Sequence, residues 1–336
     1  MDLFGDPAVW LPFTFAALMG LSILIYVVLD GFDLGVGVLF PLAAADEQDR
    51  MVASIGPFWD ANETWLVLAI GILLVAFPQA HGQILTALYL PVAVMLIGLI
   101  LRGVAFEFRV KAPGSHKATW DRLFFTGSLM TSLSQGFMLG LYIMGLEWTL
   151  PHVAFATVTA VFLTVGYSFI GATWLILKTS DALQEKAVQW ARGGIWGLIL
   201  GIGAISVASP LVSPRIFEKW FVFPEIVLLA PLPIVSAALV FWLWRSLQRL
   251  PRPGDAGSTG PFVASVALFS LAFAGLAYSY YPYVVPERLT IYEAASAPES
   301  LIIILVGVCF VLPTILGYTA LAYAIFRGKA TDLRYD

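Results

Sequence analysis

The sequence predicts an all-α membrane protein that crosses the bilayer many times, and three observations support this class. Of the 336 residues, 60% are hydrophobic and only 12% are charged, whereas ordinary soluble domains carry about 25% charged residues. The mean hydropathy is +0.87. Apolar runs of about 20 residues, the length needed to span hydrocarbon as a helix, recur along the whole chain. These features exclude a soluble enzyme and predict a protein embedded in a lipid bilayer.

We predict nine transmembrane helices in one membrane domain that comprises residues 1–336. The apolar runs cover residues 9–40, 52–77, 83–106, 123–146, 153–177, 192–209, 223–247, 261–281 and 300–326. The first run exceeds one perpendicular span at about 1.5 Å per residue, so the helix tilts, protrudes or breaks at Asp30-Gly31. The glycines of the segment Gly31-Phe-Asp-Leu-Gly-Val-Gly37 favour close helix contact or a local break. Because the loops are short, successive helices should be antiparallel neighbours.

The distribution of Lys and Arg predicts the orientation. With the N-terminus outside, 15 of the 18 basic residues fall in inner segments, and only Arg215, Lys219 and Arg288 fall outside. This asymmetry follows the positive-inside rule, so the N-terminus should be periplasmic and the C-terminus cytoplasmic. Residues 1–8 carry Asp2 and Asp6 instead of basic residues, so we expect no cleavable signal peptide.

A group of polar residues stands near the start of the second apolar run. Asp60, Asn62 and Glu63 precede an apolar stretch that reaches Phe77. An ionised carboxylate in hydrocarbon costs roughly 2.5–3.5 kcal/mol on insertion scales, so such residues face a bundle interior and usually mark an ion or proton path. The spacing of Asp60 and Glu63 places both carboxyl groups on one helix face. The alternative is a structural polar knot closed by an Arg from another helix.

Further charges collect at the same side of the membrane in the predicted topology. Asp30 and Asp33 end the first helix, and Arg102 and Glu107 end the third. Together they predict a polar funnel from the cytoplasm toward the middle of the membrane. Each has a simpler interpretation: Asp33 is solvated by headgroups, and Arg102 with Glu107 is an interfacial pair.

Other polar residues carry less functional information. Ser134 and Gln135 are more typical of hydrogen bonds between helices than of substrate ligands. The only cysteine, Cys309, cannot form an internal disulfide or a CxxC metal site, so we interpret it as a small buried hydrophobe.

The three histidines lie outside the predicted membrane interior. His81 and His116 fall in predicted loops and His152 at a helix mouth, whereas haem ligands of a transmembrane bundle are expected deep in helices. We therefore expect that this chain holds no haem by its own ligands, and we predict no metal site. No HExxH motif, phosphate loop or nucleophile elbow is present in the sequence.

Three motifs resemble the successive signatures of subunit II of bacterial cytochrome bd-type quinol oxidases. They are Leu29-Asp-Gly-Phe-Asp-Leu-Gly-Val-Gly37, Pro57-Phe-Trp-Asp-Ala-Asn-Glu-Thr-Trp-Leu66 and Arg102-Gly-Val-Ala-Phe-Glu-Phe-Arg109. The resemblance covers the chain in length, number of spans and motif order. Some relatives have Arg-Pro-Val-Gly-Phe-Asp where this chain has Arg102-Gly-Val-Ala-Phe-Glu107, a departure that resembles the cyanide-insensitive oxidase branch and keeps the carboxyl group.

The resemblance implies a role in a bacterial inner-membrane complex that oxidises quinol and reduces oxygen to water. The partner, subunit I, would carry haems b558, b595 and d and the quinol site, while subunit II would carry no haem ligands. Such complexes do not pump protons. They separate charge because quinol protons leave outside and the consumed protons come from the cytoplasm. In some members subunit II also holds a quinone in a structural role. Small accessory subunits are possible further partners, and nucleic acid is not an expected partner.

The resemblance also implies an architecture and a role for individual residues. Subunit II in this family has two four-helix bundles plus one peripheral helix. Its Trp-Asp-x-Asn-Glu aspartate, here Asp60, belongs to a proposed proton path toward haem d. We expect Glu63 to be the next station and Trp59 and Asn62 to orient the carboxyl group. Asp30, Asp33, Arg102 and Glu107 would support the path at its inner mouth. A proton-coupled transporter or ion channel and a purely structural assembly subunit are the alternatives.

Overall fold

The computed structural model describes residues 6–112 and 114–330, and this part of the chain is almost entirely helical. Asp2 and Arg334, which is one of the 15 basic residues assigned to inner segments, lie outside it. The helices are α1 (Pro7–Leu39), α2 (Ala45–Ile55), α3 (Trp59–Ala76), α4 (Pro78–Lys111), α5 (Gly114–Ile143), α6 (Leu150–Lys178), α7 (Asp181–Val212), α8 (Pro214–Phe221), α9 (Glu225–Leu229), α10 (Pro231–Leu247), α11 (Thr259–Tyr280), α12 (Ile291–Ala294) and α13 (Pro298–Ile325). Short 3₁₀ turns occupy Phe40–Leu42 and Pro253–Asp255, and strands β1 (Tyr283–Val285) and β2 (Leu289–Thr290) form an antiparallel pair.

Eight segments of the described chain are long and apolar enough to cross a membrane. They are α1 with its 3₁₀ turn, α3, α4, α6, α7, the α9–α10 segment, α11 and α13, and they correspond to eight of the nine predicted runs. The remaining run, 123–146, is the fourth along the chain and corresponds to the 30-residue α5, which is rich in Ser and Thr. Its Ser128, Thr131 and Ser132 are fully buried, because α5 packs between α4 and α6. The second run begins later than predicted, since α2 is a separate helix before Pro57.

Helix α1 is continuous through Asp30-Gly31, so the first run does not break there. It has 33 residues and ends at Leu39. Its glycines permit a close approach to α6: a Cβ atom on Gly35 would lie 1.8 Å from the carbonyl oxygen of Tyr167. Of the two outcomes that the glycine-rich segment predicted, close helix contact is the one observed.

The main hydrophobic core lies around α1 and α6 and includes buried residues of α2, α7 and α11. The Phe32 and Trp174 rings stack with centroids 4.2 Å apart, and the Phe58 and Tyr323 rings stack at 4.4 Å. Tyr323 belongs to α13, which is largely exposed and packs near both of its ends, through Leu301 at the start and through Ala322 and Tyr323 at the end. Cys309 on α13 is exposed, so its interpretation as a buried hydrophobe is wrong for this chain.

Polar interactions close the two ends of the bundle. At the end that carries α2, here called the α2 end, Lys186 Nζ lies 2.6 Å from Glu47 Oε2 and ties α7 to α2. At the end that carries α8, the α8 end, Arg215 lies 3.0 Å from Glu287. There Lys219 Nζ also donates to the carbonyl oxygen of Tyr278 at 2.7 Å. These contacts connect helices that are far apart in the sequence.

Candidate functional site

Arg102 is at the centre of a buried polar cluster formed by α1, α3 and α4. Its guanidinium, only 1% exposed, lies 2.7 Å from Asp30 Oδ1 and 2.9 Å from Glu63 Oε1. Its second terminal nitrogen is 3.8 Å from Asp33 Oδ2. Asp30 and Asp33 are completely buried, whereas Glu63 keeps 26% of its side chain exposed. We call these four residues, together with Asn62, the Arg102 cluster.

Helical spacing explains how these side chains meet. Asp30 and Asp33 are three residues apart on α1 and share one face, and the close contact of α1 with α6 sets the direction of that face. Asn62, fully buried on α3, donates from Nδ2 to Asp33 Oδ2 at 2.7 Å. Tyr323 of α13 donates to Asn62 Oδ1 at 3.2 Å. Asn62 therefore holds the carboxyl group of Asp33, whereas the sequence argument expected it to orient Asp60.

The Arg102 cluster contains more acid than base. Three carboxyl groups surround a single guanidinium, and buried charge without compensation is strongly disfavoured. Asp30 Oδ2, Asp33 Oδ1 and two nitrogens of Arg102 make no hydrogen bond within the described residues. An excess of carboxyl groups with unused hydrogen-bonding capacity is suited to holding and exchanging protons.

A hydrogen-bonded chain extends the cluster along α1 toward α5 and α6. Gln135 Nε2 donates to the hydroxyl of Tyr26 at 2.6 Å, and the hydroxyl of Tyr167 donates to Gln135 Oε1 at 2.7 Å. Tyr26 precedes Asp30 by one helical turn on the same face. Gln135 is thus an interhelical hydrogen-bond partner, as its sequence context indicated. The sequence argument missed Tyr26 and Tyr167, although a Tyr one turn before a membrane carboxylate was a usable signal.

The structure separates Asp60 and Glu107 from the buried cluster. Both side chains are exposed on the surface of this chain and form no hydrogen bond or ion pair among the residues described. Asp60 is one helical turn from Glu63 and interacts with it electrostatically. Trp59 packs its ring against Phe106 with centroids 5.1 Å apart. Glu63, which contacts Arg102 and is partly exposed, therefore connects the inner cluster to the surface carboxylates.

Potential metal or haem ligands are not grouped in the described part of the chain. No cluster of three or more His, Cys, Asp or Glu residues there has the geometry of a metal site. His81, His116 and His152 lie in the first turns of α4, α5 and α6, so His81 and His116 are in helices and not in loops. None of the three belongs to the Arg102 cluster.

Comparisons with known proteins identify relatives across almost the whole chain. The family model described as cytochrome bd terminal oxidase subunit II matches residues 11–326. The chain is 28% identical over 330 residues to the cytochrome bd ubiquinol oxidase subunit 2 of Bacillus subtilis (strain 168), covering 90% of this chain and 92% of that protein. It is 26% identical over 369 residues to the cytochrome bd-I ubiquinol oxidase subunit 2 of Escherichia coli (strain K12), covering 96% and 95%.

A solved structure shares the fold. The bd oxidase from Geobacillus thermodenitrificans contains a chain that superposes with a TM-score of 0.75 at 17% identity, covering 95% of this chain and 99% of that chain. At this level of identity the likeness concerns the helical arrangement and not individual residues.

Proposed function

The chain belongs to the cytochrome bd terminal oxidase subunit II family, whose model covers residues 11–326, and from this premise we propose how the subunit contributes to the complex. The protein is a subunit of a membrane quinol oxidase, an oxidoreductase. We propose that it supports a haem-bearing subunit I and supplies part of the path by which cytoplasmic protons reach the oxygen-reducing site.

The exposure of Asp60 is the observation that carries this proposal. Asp60 lies on the outer surface of α3, beside the exposed apolar side chains of Val67, Ile70 and Leu74 farther along the same helix. A carboxylate that faces lipid costs several kcal/mol, so this surface is better suited to a protein partner than to hydrocarbon. We propose that subunit I docks on the outer surface of α3 and receives protons from Asp60.

The chemistry of the complex requires such a path. Oxidation of two quinols supplies four electrons, and one oxygen molecule takes these electrons and four protons to form two water molecules. The electrons reach oxygen through subunit I, so the protons must arrive separately. A carboxyl group in a low-dielectric environment releases and rebinds protons near neutral pH more readily than one in water. Asp60, Glu63 and Glu107 are carboxyl groups at the right surface for this task.

The Arg102 cluster supports the path from inside the subunit. Glu63 contacts Arg102 at 2.9 Å and stands one turn from Asp60, so a proton shared among Asp30, Asp33 and Glu63 has access to the surface. Asn62 orients Asp33, and Trp59 fixes the start of α3 against α4. In this arrangement Arg102 compensates part of the negative charge while leaving carboxyl groups available for protons.

Haems b558, b595 and d and the quinol site are assigned in this proposal to subunit I. The histidines of this chain lie in first turns of helices and none is part of the Arg102 cluster, which does not fit a haem held in the bundle interior. When bound in the partner, the haems supply the electron transfer and oxygen chemistry. This chain would then contribute to charge separation across the membrane only through the protons that it delivers. A structural quinone and small accessory subunits remain expectations from the family.

We further propose nine spans arranged as two four-helix bundles plus a peripheral helix. The packing of α1, α3, α4 and α5 supports one bundle, that of α6, α7, α10 and α11 supports the second, and the largely exposed α13 is peripheral. In the bacterial inner membrane, the N-terminus would be periplasmic and the α2 end cytoplasmic, in keeping with the basic residues near α2. A proton-coupled transporter or channel and a purely structural subunit are the alternative functions, and the family membership disfavours the transporter.

Asp60→Asn in the assembled complex tests the proposal. The variant keeps the shape of the side chain but cannot titrate, so oxygen reduction should slow at least tenfold while haem content and assembly stay normal. Asp46→Asn is the matched control, because Asp46 is an exposed carboxylate on α2 that forms no ion pair with any described residue. Full turnover with normal electrogenic proton uptake in Asp60→Asn would show that Asp60 is structural.

A further inference from the structure

We propose that a cavity between the last turn of α4 and the first turns of α5 binds the phosphate headgroup of an anionic phospholipid. The cavity has a volume of about 280 Å³ and is lined by Phe108, Lys111, Ala112, His116, Thr119 and Trp120. It is slightly smaller than pockets that take drug-sized ligands, which suits a compact polar headgroup. None of the lining residues belongs to the Arg102 cluster or to the surface carboxylates, so this site is independent of the proposed proton path.

Some basic residues near this cavity form ion pairs with carboxylates, and others do not. Arg109 contacts Asp49 at 2.7 Å and Asp121 at 2.5 Å, and Lys117 contacts Asp49 at 2.7 Å. Asp49 and Asp121 therefore compensate Arg109 and Lys117.

Lys111 and Arg122 remain without an ion pair in the described part of the chain, and both are exposed. Glu107 precedes Lys111 by one turn, yet the two side chains form no ion pair either. Around this end of α4 and α5, the four cations Arg109, Lys111, Lys117 and Arg122 exceed the three carboxylates Asp49, Glu107 and Asp121 by one charge. Lys111 brings positive charge into the wall of the cavity, as in the basic pockets that hold anionic headgroups at the cytoplasmic leaflet. The imidazole ring of His116 also lines the cavity.

An apolar surface leads from this cavity along α4. Ile97, Ile100, Val104 and Phe108 are exposed, and their spacing places them on one helix face. The row is about 16 Å long at 1.5 Å per residue, close to half the thickness of the hydrocarbon layer. The rings of Phe108 and Trp120 stack with centroids 5.1 Å apart, at the level where aromatic side chains meet headgroups.

The apolar row and the charged cavity together identify a lipid as the occupant. A headgroup at Lys111 would allow an acyl chain to lie along Ile97, Ile100 and Val104. Free phosphate would use the cavity alone and leave this row without a role. A zwitterionic lipid would fit the row but would gain less from the excess positive charge.

Native mass spectrometry of the whole purified complex can test the proposal. The complex is titrated with phosphatidylglycerol and, separately, with phosphatidylcholine of the same acyl chains. Wild type should bind at least one phosphatidylglycerol more tightly than phosphatidylcholine. Lys111→Gln should weaken phosphatidylglycerol binding about fivefold, since one basic residue near an anionic surface contributes about 1 kcal/mol.

Two further variants keep the test specific. Arg245→Gln removes the same charge from an exposed residue in the last turn of α10 that has no ion pair within the described chain, and it should leave lipid binding unchanged. Trp120→Leu should weaken both lipids, because the ring forms the wall of the cavity. Both variants should co-purify with subunit I as wild type does.

Three results would overturn the proposal. Equal losses in Lys111→Gln and Arg245→Gln, or no loss in either, would show that no local site exists. Displacement of the lipid by inorganic phosphate at the same concentration would show that the acyl chain contributes nothing. Impaired co-purification of subunit I in Lys111→Gln, with lipid binding unchanged, would identify the cavity as a subunit contact.

Discussion

Helix α4 carries two arginines, Arg102 and Arg109, whose surroundings differ in a way that separates a candidate functional site from a structural contact. Both guanidinium groups are almost fully buried, at 1% and 4% exposure. The carboxyl partners differ: Asp30 and Asp33 beside Arg102 are fully buried, whereas 46% of Asp49 beside Arg109 is exposed. Arg109 lies near the helix end, and Arg102 lies about two turns deeper.

The surroundings of the two arginines also differ in the balance of positive and negative charge. The Arg102 cluster has three carboxyl groups for one basic group. Around Arg109, Asp49 and Asp121 are matched by Arg109 and Lys117. A balanced, partly hydrated group joins α2, α4 and α5 without a surplus proton site. An acid-rich group in the interior is costly to keep for stability alone, which is why the deeper cluster is the better candidate for proton exchange.

The largest expected effect is that of Arg102→Gln. It leaves Asp30 and Asp33 buried without their cation, and removal of one partner from a buried ion pair costs about 3–5 kcal/mol. We expect little or no assembled complex, measured as the yield of subunit I that co-purifies. Arg102→Lys keeps the charge and should retain part of the yield. Normal yield and thermal stability in Arg102→Gln would mean that the carboxyl groups are neutral without Arg102.

Gly35→Ala should have the next largest effect and changes no charge. The added Cβ would lie 1.8 Å from the carbonyl oxygen of Tyr167, so α1 must move away from α6 and carry Asp30 and Asp33 with it. Overpacking of this kind costs about 1–3 kcal/mol or more. Thermal unfolding of the complex in detergent should show the loss. Gly71→Ala is the control, because a methyl group added there would meet no atom of a neighbouring element within 4 Å; equal stability of the two variants would contradict the close α1–α6 contact.

Arg109→Gln should be milder than Arg102→Gln. Water can hydrate the carboxylates that lose their partner, so the expected loss of unfolding free energy is about 1–2 kcal/mol. The complex should assemble and retain its turnover. The measurement is the midpoint of thermal unfolding together with oxygen consumption. A loss as large as that of Arg102→Gln would remove the distinction between the two arginine clusters.

The smallest expected effect is a pH dependence that involves Asp49. Partial burial raises the pKa of Asp49. Hydrogen bonds from Lys117 and Arg109 together lower it by more than burial raises it, so the net pKa lies below the ordinary value. A carboxyl group with a lowered folded-state pKa stabilises the protein above its unfolded pKa of about 4 and loses that contribution as the pH falls through the folded value. The stability difference between wild type and Asp49→Asn should therefore shrink below about pH 4. An unchanged difference down to about pH 3 would contradict a lowered pKa.

Sequence spacing predicted several features because helices and bilayers impose simple lengths. A span needs about 20 apolar residues, and this rule located eight of the segments that can cross the membrane. It did not find the separate helix α2, because the last four residues of that helix were assigned to the second apolar run. The sequence of α5 is less apolar than a lipid-facing span because its small polar residues meet neighbouring helices, Ser128 at Gly37 of α1 and Thr131 at Gly98 of α4. Only the packing reveals this reason.

The sequence by itself determined the membrane class, the helix positions, the family and the polar residues that deserved closer study. Spacing also placed the carboxyl groups of Asp60 and Glu63 on one helix face. Only the tertiary structure decided that Asp30 and Asp33 are buried with Arg102 while Asp60 and Glu107 are on the surface. The physical reason is that the rotation of each helix about its axis depends on packing with other helices, such as Gly35 against Tyr167. Residues distant in the sequence make those contacts, and periodicity within one helix does not specify them.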